Sequence, residues 1–339
     1  MSQKYLDLAG LTAYDTKIKQ YFKSGVVDIT DDAISALFAI STDGPWVTFT
    51  AQEDNSSIGL VRLSTNQTME YSTDTVTWNT FDTTTSIPLN NGDKVYVRGV
   101  LSDDNTSSKY TRFKMSGKIA ASGNCNAIWN YQDLNAPLKA YCGYNMFSHC
   151  ISLTTAPELP ATTLTENCYS MMFSGCSSLT VTPELPATEL AYSCYANMFN
   201  SCTSLTTAPE LPATELVKSC YINMFNSCTS LTTAPELPAT TLADYCYGSM
   251  FYTCTSLTTA PELPATTLAS DCYSQMFNGC TNLNHIKCLA TDILATDCTD
   301  AWVNRVSSTG TFIKHPDMNN WTTGIHGIPI GWTVEDAEL

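Results

Sequence analysis

A strict 26-residue period constrains this chain more than any other feature. Cys150, Cys176, Cys202, Cys228, Cys254 and Cys280 stand 26 residues apart, and Cys142, Cys168, Cys194, Cys220, Cys246, Cys272 and Cys298 keep the same step. So do the phenylalanines from Phe147 to Phe277 and the leucines Leu153–Leu283, Leu159–Leu289 and Leu138–Leu294. Self-similarity at this period is the signature of stacked supersecondary units, none of which can bury its apolar edge alone. Stacking sets each side chain on its own copy, so the recurring Leu, Phe and Cys read as one long core.

The fifteen cysteines are periodic, without a CxxC, and the four histidines do not follow the repeat. Zinc needs convergent Cys or His at short spacing, and a disulfide framework has irregular spacing. The cysteines therefore read as small buried apolar side chains, reduced if the chain is made in the cytosol. No metal or other cofactor is expected.

Within one unit, "ELAYSCYANMFNSCTSL" places Leu190, Cys194, Met198, Phe199 and Cys202 at spacings of three or four, a helical or 3₁₀ habit. "TTAPELPAT" carries two prolines, too many for a central strand, and reads as a short extended return. The units decay at both ends, near Cys125 and after Cys298, as end caps do.

Upstream, residues 5–23 predict an amphipathic helix with Leu8, Leu11, Ile18 and Phe22 on one stripe. So short a helix cannot bury its stripe alone. It needs its own chain, sister chains (a trimer is one outcome) or a larger assembly. From Gly44 to Ile119 the period falls to two, in about seven short β-branched and aromatic runs that predict a β-sandwich. Trp46, Tyr71, Trp78 and Tyr96 are core or sugar platforms. The organisation read from the sequence is an anchoring segment 1–43, a β-sandwich 44–124, a solenoid 125–298 and a C-terminal cap 299–339. The fold class is mixed α+β.

Net charge is −16, and residues 126–298 hold three lysines against thirteen acids. Such a surface repels phosphate backbones, so nucleic acid is not an expected partner. No run of about 20 apolar residues predicts membrane insertion, and the opening residues lack the apolar stretch of a secretory signal.

"MFSGCSSLT" at Met172 and "MFNGCTNLN" at Met276 resemble the F-x-x-C-x-x-L core of bacterial surface leucine-rich repeats, both BspA-like repeats and the 26-residue "MF-x-x-C-x-S-L" surface-protein repeats. The resemblance covers about residues 125–298. It implies a leucine-rich-repeat solenoid used for adhesion and for binding protein or glycan. "APELPAT" departs from the family's strand-forming run. Leu6, Asp7, Gly10, Leu11, Tyr14, Lys17, Ile18 and Lys19 match the opening helix of virion-associated proteins of gut-bacterial phages. That implies other tail proteins as partners of the helix, a host-surface protein or glycan as target, and a place in the virion. The alternative is an adhesin on the bacterial cell surface.

Catalysis needs unique convergent polar groups, and this chain offers duplicated ones, so no enzyme activity is expected. The column Glu158, Glu184, Glu210, Glu236 and Glu262 suits a turn role in the Pro-flanked bend, with cation binding as the alternative. The letters that change between repeats cluster before the second cysteine. Tyr192, Lys218, Asp244, Tyr245 and Asp271 are therefore candidate ligand-facing residues. Tyr169, Tyr195, Tyr221, Tyr247 and Tyr273 are added as a column of the residue type that builds adaptable binding faces.

Overall fold

The computed structural model describes residues 44–338, and from Pro45 onward they form one compact unit. The expected N-terminal helix and the matched motif at Leu6–Lys19 lie outside the described residues.

Alternating apolar residues build the first region. Strands β1 (Val47–Ala51), β2 (Ser56–Arg62), β3 (Gln67–Ser72), β4 (Asn79–Thr80), β5 (Ser86–Leu89), β6 (Lys94–Leu101), β7 (Arg112–Ser116) and β8 (Ile119–Ser122) form two sheets. One sheet runs β4-β3-β6-β1-β8 and is extended by β9 (Leu153–Thr155); the other runs β5-β2-β7. All pairs within residues 44–122 are antiparallel. Along β6, Val95, Val97, Gly99 and Leu101 are buried while Tyr96, Arg98 and Val100 between them are half-buried, the period of two. Between the sheets Phe49 meets Phe113 at 5.4 Å and Phe113 meets Phe81 at 6.0 Å.

The repeats do not have the expected architecture, and the mixed α+β leucine-rich-repeat class is corrected here. Among the described residues the only α-helix is α1 (Asn126–Asn130), five residues long. The rest is strand, single bridges and tight turns, with three small sheets. Where helical turns were expected, each unit contains a ribbon of consecutive turns with a left-handed residue every fourth position. In one unit these are Ser193 (φ 50°), Asn197 (56°) and Ser201 (60°), and the same three positions recur in seven segments from Tyr141 to Arg305.

The hydrogen bonds explain why the ribbon replaces a helix. Alternate amides bond locally: Cys194, Ala196, Met198, Asn200 and Cys202 donate to the carbonyl three residues back at 3.0–3.2 Å. The amides between them bond to the next segment: Tyr195, Asn197, Phe199 and Ser201 donate to Cys220, Ile222, Met224 and Asn226 at 2.8–3.0 Å. An α-helix spends every interior amide on its own i−4 carbonyl and has none for a neighbour. A ribbon of four residues per repeat also keeps Cys194, Met198 and Cys202 on one side, the spacing that reads as helical in sequence. The proline-rich returns contribute isolated parallel bridges, such as Thr207↔Thr233 and Glu215↔Thr241, because proline cannot donate to a ladder.

Stacking generates the core. Rings of Phe147, Phe173, Phe199, Phe225, Phe251 and Phe277 follow one another at 5.5–5.8 Å, within 7° of parallel. Each Cys of the first series donates its thiol to the Phe carbonyl of the preceding segment, as Cys228 does to Phe199 at 3.0 Å and Cys254 to Phe225 at 3.1 Å. Small volume and a weak S–H donor meet both demands of this slot. All fifteen cysteines are buried and free.

The two regions share this column. Phe113 of β7 stacks on Phe147 at 5.0 Å, donates its amide to Met146, and accepts the Cys150 thiol at 3.5 Å. These are the three contacts that Phe147 makes with Phe173, Met172 and Cys176. The sheet region therefore stands in for a preceding repeat. At the far end Trp302 occupies the methionine position and takes both aromatic columns, lying 6.2 Å from Tyr273 and 6.2 Å from Phe277. Trp321 stacks on its other side at 5.6 Å. A parallel sheet of β10 (His285–Cys288), β11 (Thr311–Lys314) and β12 (Thr333–Asp336) completes this end.

Candidate recognition edge

The five residues of the tyrosine column are not ligand-facing. Tyr169, Tyr195, Tyr221, Tyr247 and Tyr273 are at most 2% exposed. They stack ring on ring at 5.7–6.1 Å, beside the phenylalanines. Burial pushes their phenols well above the ordinary 10.0. They are invariant for the reason that Phe is: each packs on its own copy.

The variable letters fall elsewhere. Tyr192, Lys218 and Asp244 are exposed and occupy one column, and their carbonyls accept the amides of Asn167, Ser193 and Ser219 from the preceding segment. Tyr245 and Asp271 belong to the adjacent column, the first left-handed position of each ribbon. Tyr245 is 40% exposed, and a hydrogen bond to the Asp271 carboxylate holds its phenol above the ordinary value. The ladder thus gathers all five residues on one edge of the stack. Asn, Asp and Gly suit the conformation and hold eight of these positions, such as Asn145, Asn197, Asn223, Asp271 and Gly279; the others hold Ser, Thr, Tyr, His, Met, Gln, Ala or Arg. That pattern is the signal in the sequence that separates the ribbon from a helix.

Tyr141, Glu166 and Tyr144 also belong to this edge and were not singled out from the sequence. Tyr141 is the left-handed residue of the first segment, and its hydroxyl reaches Glu166 Oε1 at 3.4 Å. Tyr141 and Tyr144 meet edge-to-face at 5.4 Å, and Tyr144 meets Tyr110 of the sheet region at 5.3 Å. Their signal is faint in sequence because the first unit is degenerate and Tyr110 precedes the repeats.

The candidate aromatics of the sheet region pack against one another and stay half-buried. Trp46 lies 5.7 Å from both Trp78 and Tyr96, and the Arg98 guanidinium sits 3.7 Å from the Trp78 ring centre. Tyr71 packs on Phe81 at 5.7 Å. The glutamate column is exposed along the proline-rich face, where Glu184 and Glu210 border a groove of about 630 Å³. Its last member, Glu262, pairs with Lys287 at 3.0 Å. Among the described residues no group of three His, Cys, Asp or Glu is arranged to hold a metal ion, and no helix is long and apolar enough to cross a membrane.

Comparison with known proteins finds no matching family model, no matching curated protein and no matching solved structure.

Proposed function

We propose that this protein is a non-enzymatic recognition component of a phage tail that binds a host-surface protein or glycan through the variable edge of its stack. One observation carries the reading: an unchanging core presents a line of side chains that change from segment to segment, with Tyr192, Lys218, Asp244 and Tyr245 exposed along it. Tyr192 and Tyr245 offer large, stiff contact surfaces and the charged neighbours add polar specificity, the composition of adaptable binding faces. The polar groups on this edge are successive variants of one position, which suits binding along a line. The placement in a phage tail rests on the motif from Leu6 to Lys19. The second reading, an adhesin on a bacterial cell surface, rests on the "MF-x-x-C-x-S-L" resemblance and uses the same edge.

The test exchanges triplets 217–219 and 243–245 between segments and measures binding of the labelled protein to a panel of bacterial strains. The exchanged chain should lose or redirect binding while keeping its stability. Deleting residues 1–24 should preserve host binding and abolish incorporation into virions. An exchanged chain that binds the same strains with unchanged strength would show that the edge is not the recognition surface.

A further inference from the structure

At the end nearest the sheet region the edge changes character. Its side chains there are Tyr141, Glu166 and Tyr192, one from each of three successive segments. The backbone ladder fixes their order: the Tyr141 amide bonds the Glu166 carbonyl at 3.0 Å, and the Asn167 amide bonds the Tyr192 carbonyl at 3.0 Å. Segments in register are spaced about 4.8 Å apart, so the segment of Glu166 lies between those of Tyr141 and Tyr192, and the Glu166 carboxylate accepts the Tyr141 hydroxyl at 3.4 Å and the Asn167 amide group at 3.3 Å. Tyr192 is 48% exposed and Glu166 is exposed. Tyr144 stands edge-on to Tyr141, and Tyr110 edge-on to Tyr144. The next ring along already holds a cation, because the Arg62 guanidinium lies 4.5 Å from the centre of Tyr110.

Aromatic faces attract organic cations within about 6 Å of the ring centre. A carboxylate beside such rings adds charge attraction and accepts N–H hydrogen bonds. Quaternary ammonium groups have no N–H to give, so the carboxylate favours a primary ammonium or a guanidinium. We propose that Tyr141, Glu166, Tyr192 and Tyr144 form a binding site for a lysine or arginine side chain of the host-surface protein. The proposal rests on the recognition edge described above and narrows its target to a protein that presents a basic side chain. The net charge of −16 favours the approach of such a partner.

The test uses the full chain and small probes, so it needs no host cell. A pentapeptide with one central lysine is titrated against the isotope-labelled protein, and backbone shifts of Glu166, Asn167 and Tyr192 are followed. The same peptide with norleucine, and D-glucosamine as an amine-bearing sugar, form the other arms. The lysine peptide should shift these amides saturably and bind at least fivefold more tightly than the norleucine peptide. Glu166→Gln should weaken it about fivefold, and Tyr192→Leu about two- to fivefold, the range expected for one exposed ring. Glu236→Gln, on the proline-rich face, should leave it unchanged. Equal binding of the norleucine peptide, or equal loss in Glu166→Gln and Glu236→Gln, would overturn the site. Tighter binding of glucosamine than of the lysine peptide would overturn the protein partner. None of these outcomes bears on triplets 217–219 and 243–245, so the site and the edge can fail separately.

Discussion

The sheet region, residues 44–122, and the stacked region that follows bury similar side chains but satisfy their backbones differently. In the sheets a strand gives its amides to partners far along the chain, such as β1 to β6 and β8, and its side chains alternate in and out. In the stack half of the ribbon's amides close local turns and half reach the next segment. The first arrangement needs eight different strands to find one another. The second needs one solution copied along the chain, because whatever fits its own copy propagates. That is why the stack is written in repeats and the sheet region is not. Phe113 makes the two compatible by offering the stack the contacts of a missing repeat.

The comparison can be broken most forcefully with pH. Burial pushes the thiols of Cys194, Cys228, Cys246 and Cys280 from an ordinary 9.0 up to about 12. A raised folded-state value means stability fully present below about 9 and lost as pH climbs towards 12. Described residues of the sheet region before Cys125 contain no cysteine, and the shift there runs the other way. Amides of Thr77 and Val76 and the Ser72 hydroxyl hold the exposed Asp74 carboxyl down to about 2. That contribution is present above about 4 and lost as pH falls towards 2. Denaturant midpoints should therefore fall steeply from pH 9 to 11, through the stack. A flat midpoint across that range would contradict the buried thiol columns.

A single ring comes next. Phe225→Ala removes the middle of the phenylalanine column and should cost about 3–5 kcal/mol by chemical denaturation. Phe113→Ala should cost a similar amount and lower both regions in one transition, because its ring belongs to both. Two separated transitions in that variant would show that the regions are merely adjacent.

Backbone shape gives a smaller effect. Asn223 sits at φ 56°. Asn223→Val should cost about 1–2 kcal/mol, the penalty of a left-handed conformation for a branched residue, while Asn223→Gly should be nearly neutral. In a helix the order would reverse, with glycine worse than valine by about 0.3–0.5 kcal/mol, so the sign of the difference sharpens the distinction. The smallest effect is expected from Cys228→Ala, which removes the thiol bond to Phe199 at 3.0 Å. A loss of about 1 kcal/mol is expected, and no loss would reduce the thiol to a space filler.

What could be read directly from the sequence follows from this contrast. Copied columns announce themselves, so Leu, Phe and Cys were identifiable as core without knowing the path of the backbone. The path itself was not, because spacings of three and four residues serve a helix and a turn ribbon alike. Only the Asn, Asp and Gly residues at the left-handed positions, such as Asn197, Asn223 and Gly279, carry the distinction. The tyrosine column was ambiguous for a related reason: invariance marks burial here, and a periodic tyrosine can equally line a binding face. Tyr192, Lys218 and Asp244 were legible as edge residues because they vary against a fixed background. Tyr141, Tyr144 and Tyr110 lacked that background.

The account stands on the ribbon, and one bond reports it most directly. Through-hydrogen-bond scalar couplings identify the carbonyl that each amide bonds. The ribbon predicts a coupling from the Tyr195 amide to the Cys220 carbonyl, one segment on, at an N···O distance of 3.0 Å. A coupling from Tyr195 to Ala191, four residues back as in an α-helix, would contradict the ribbon and the edge built on it.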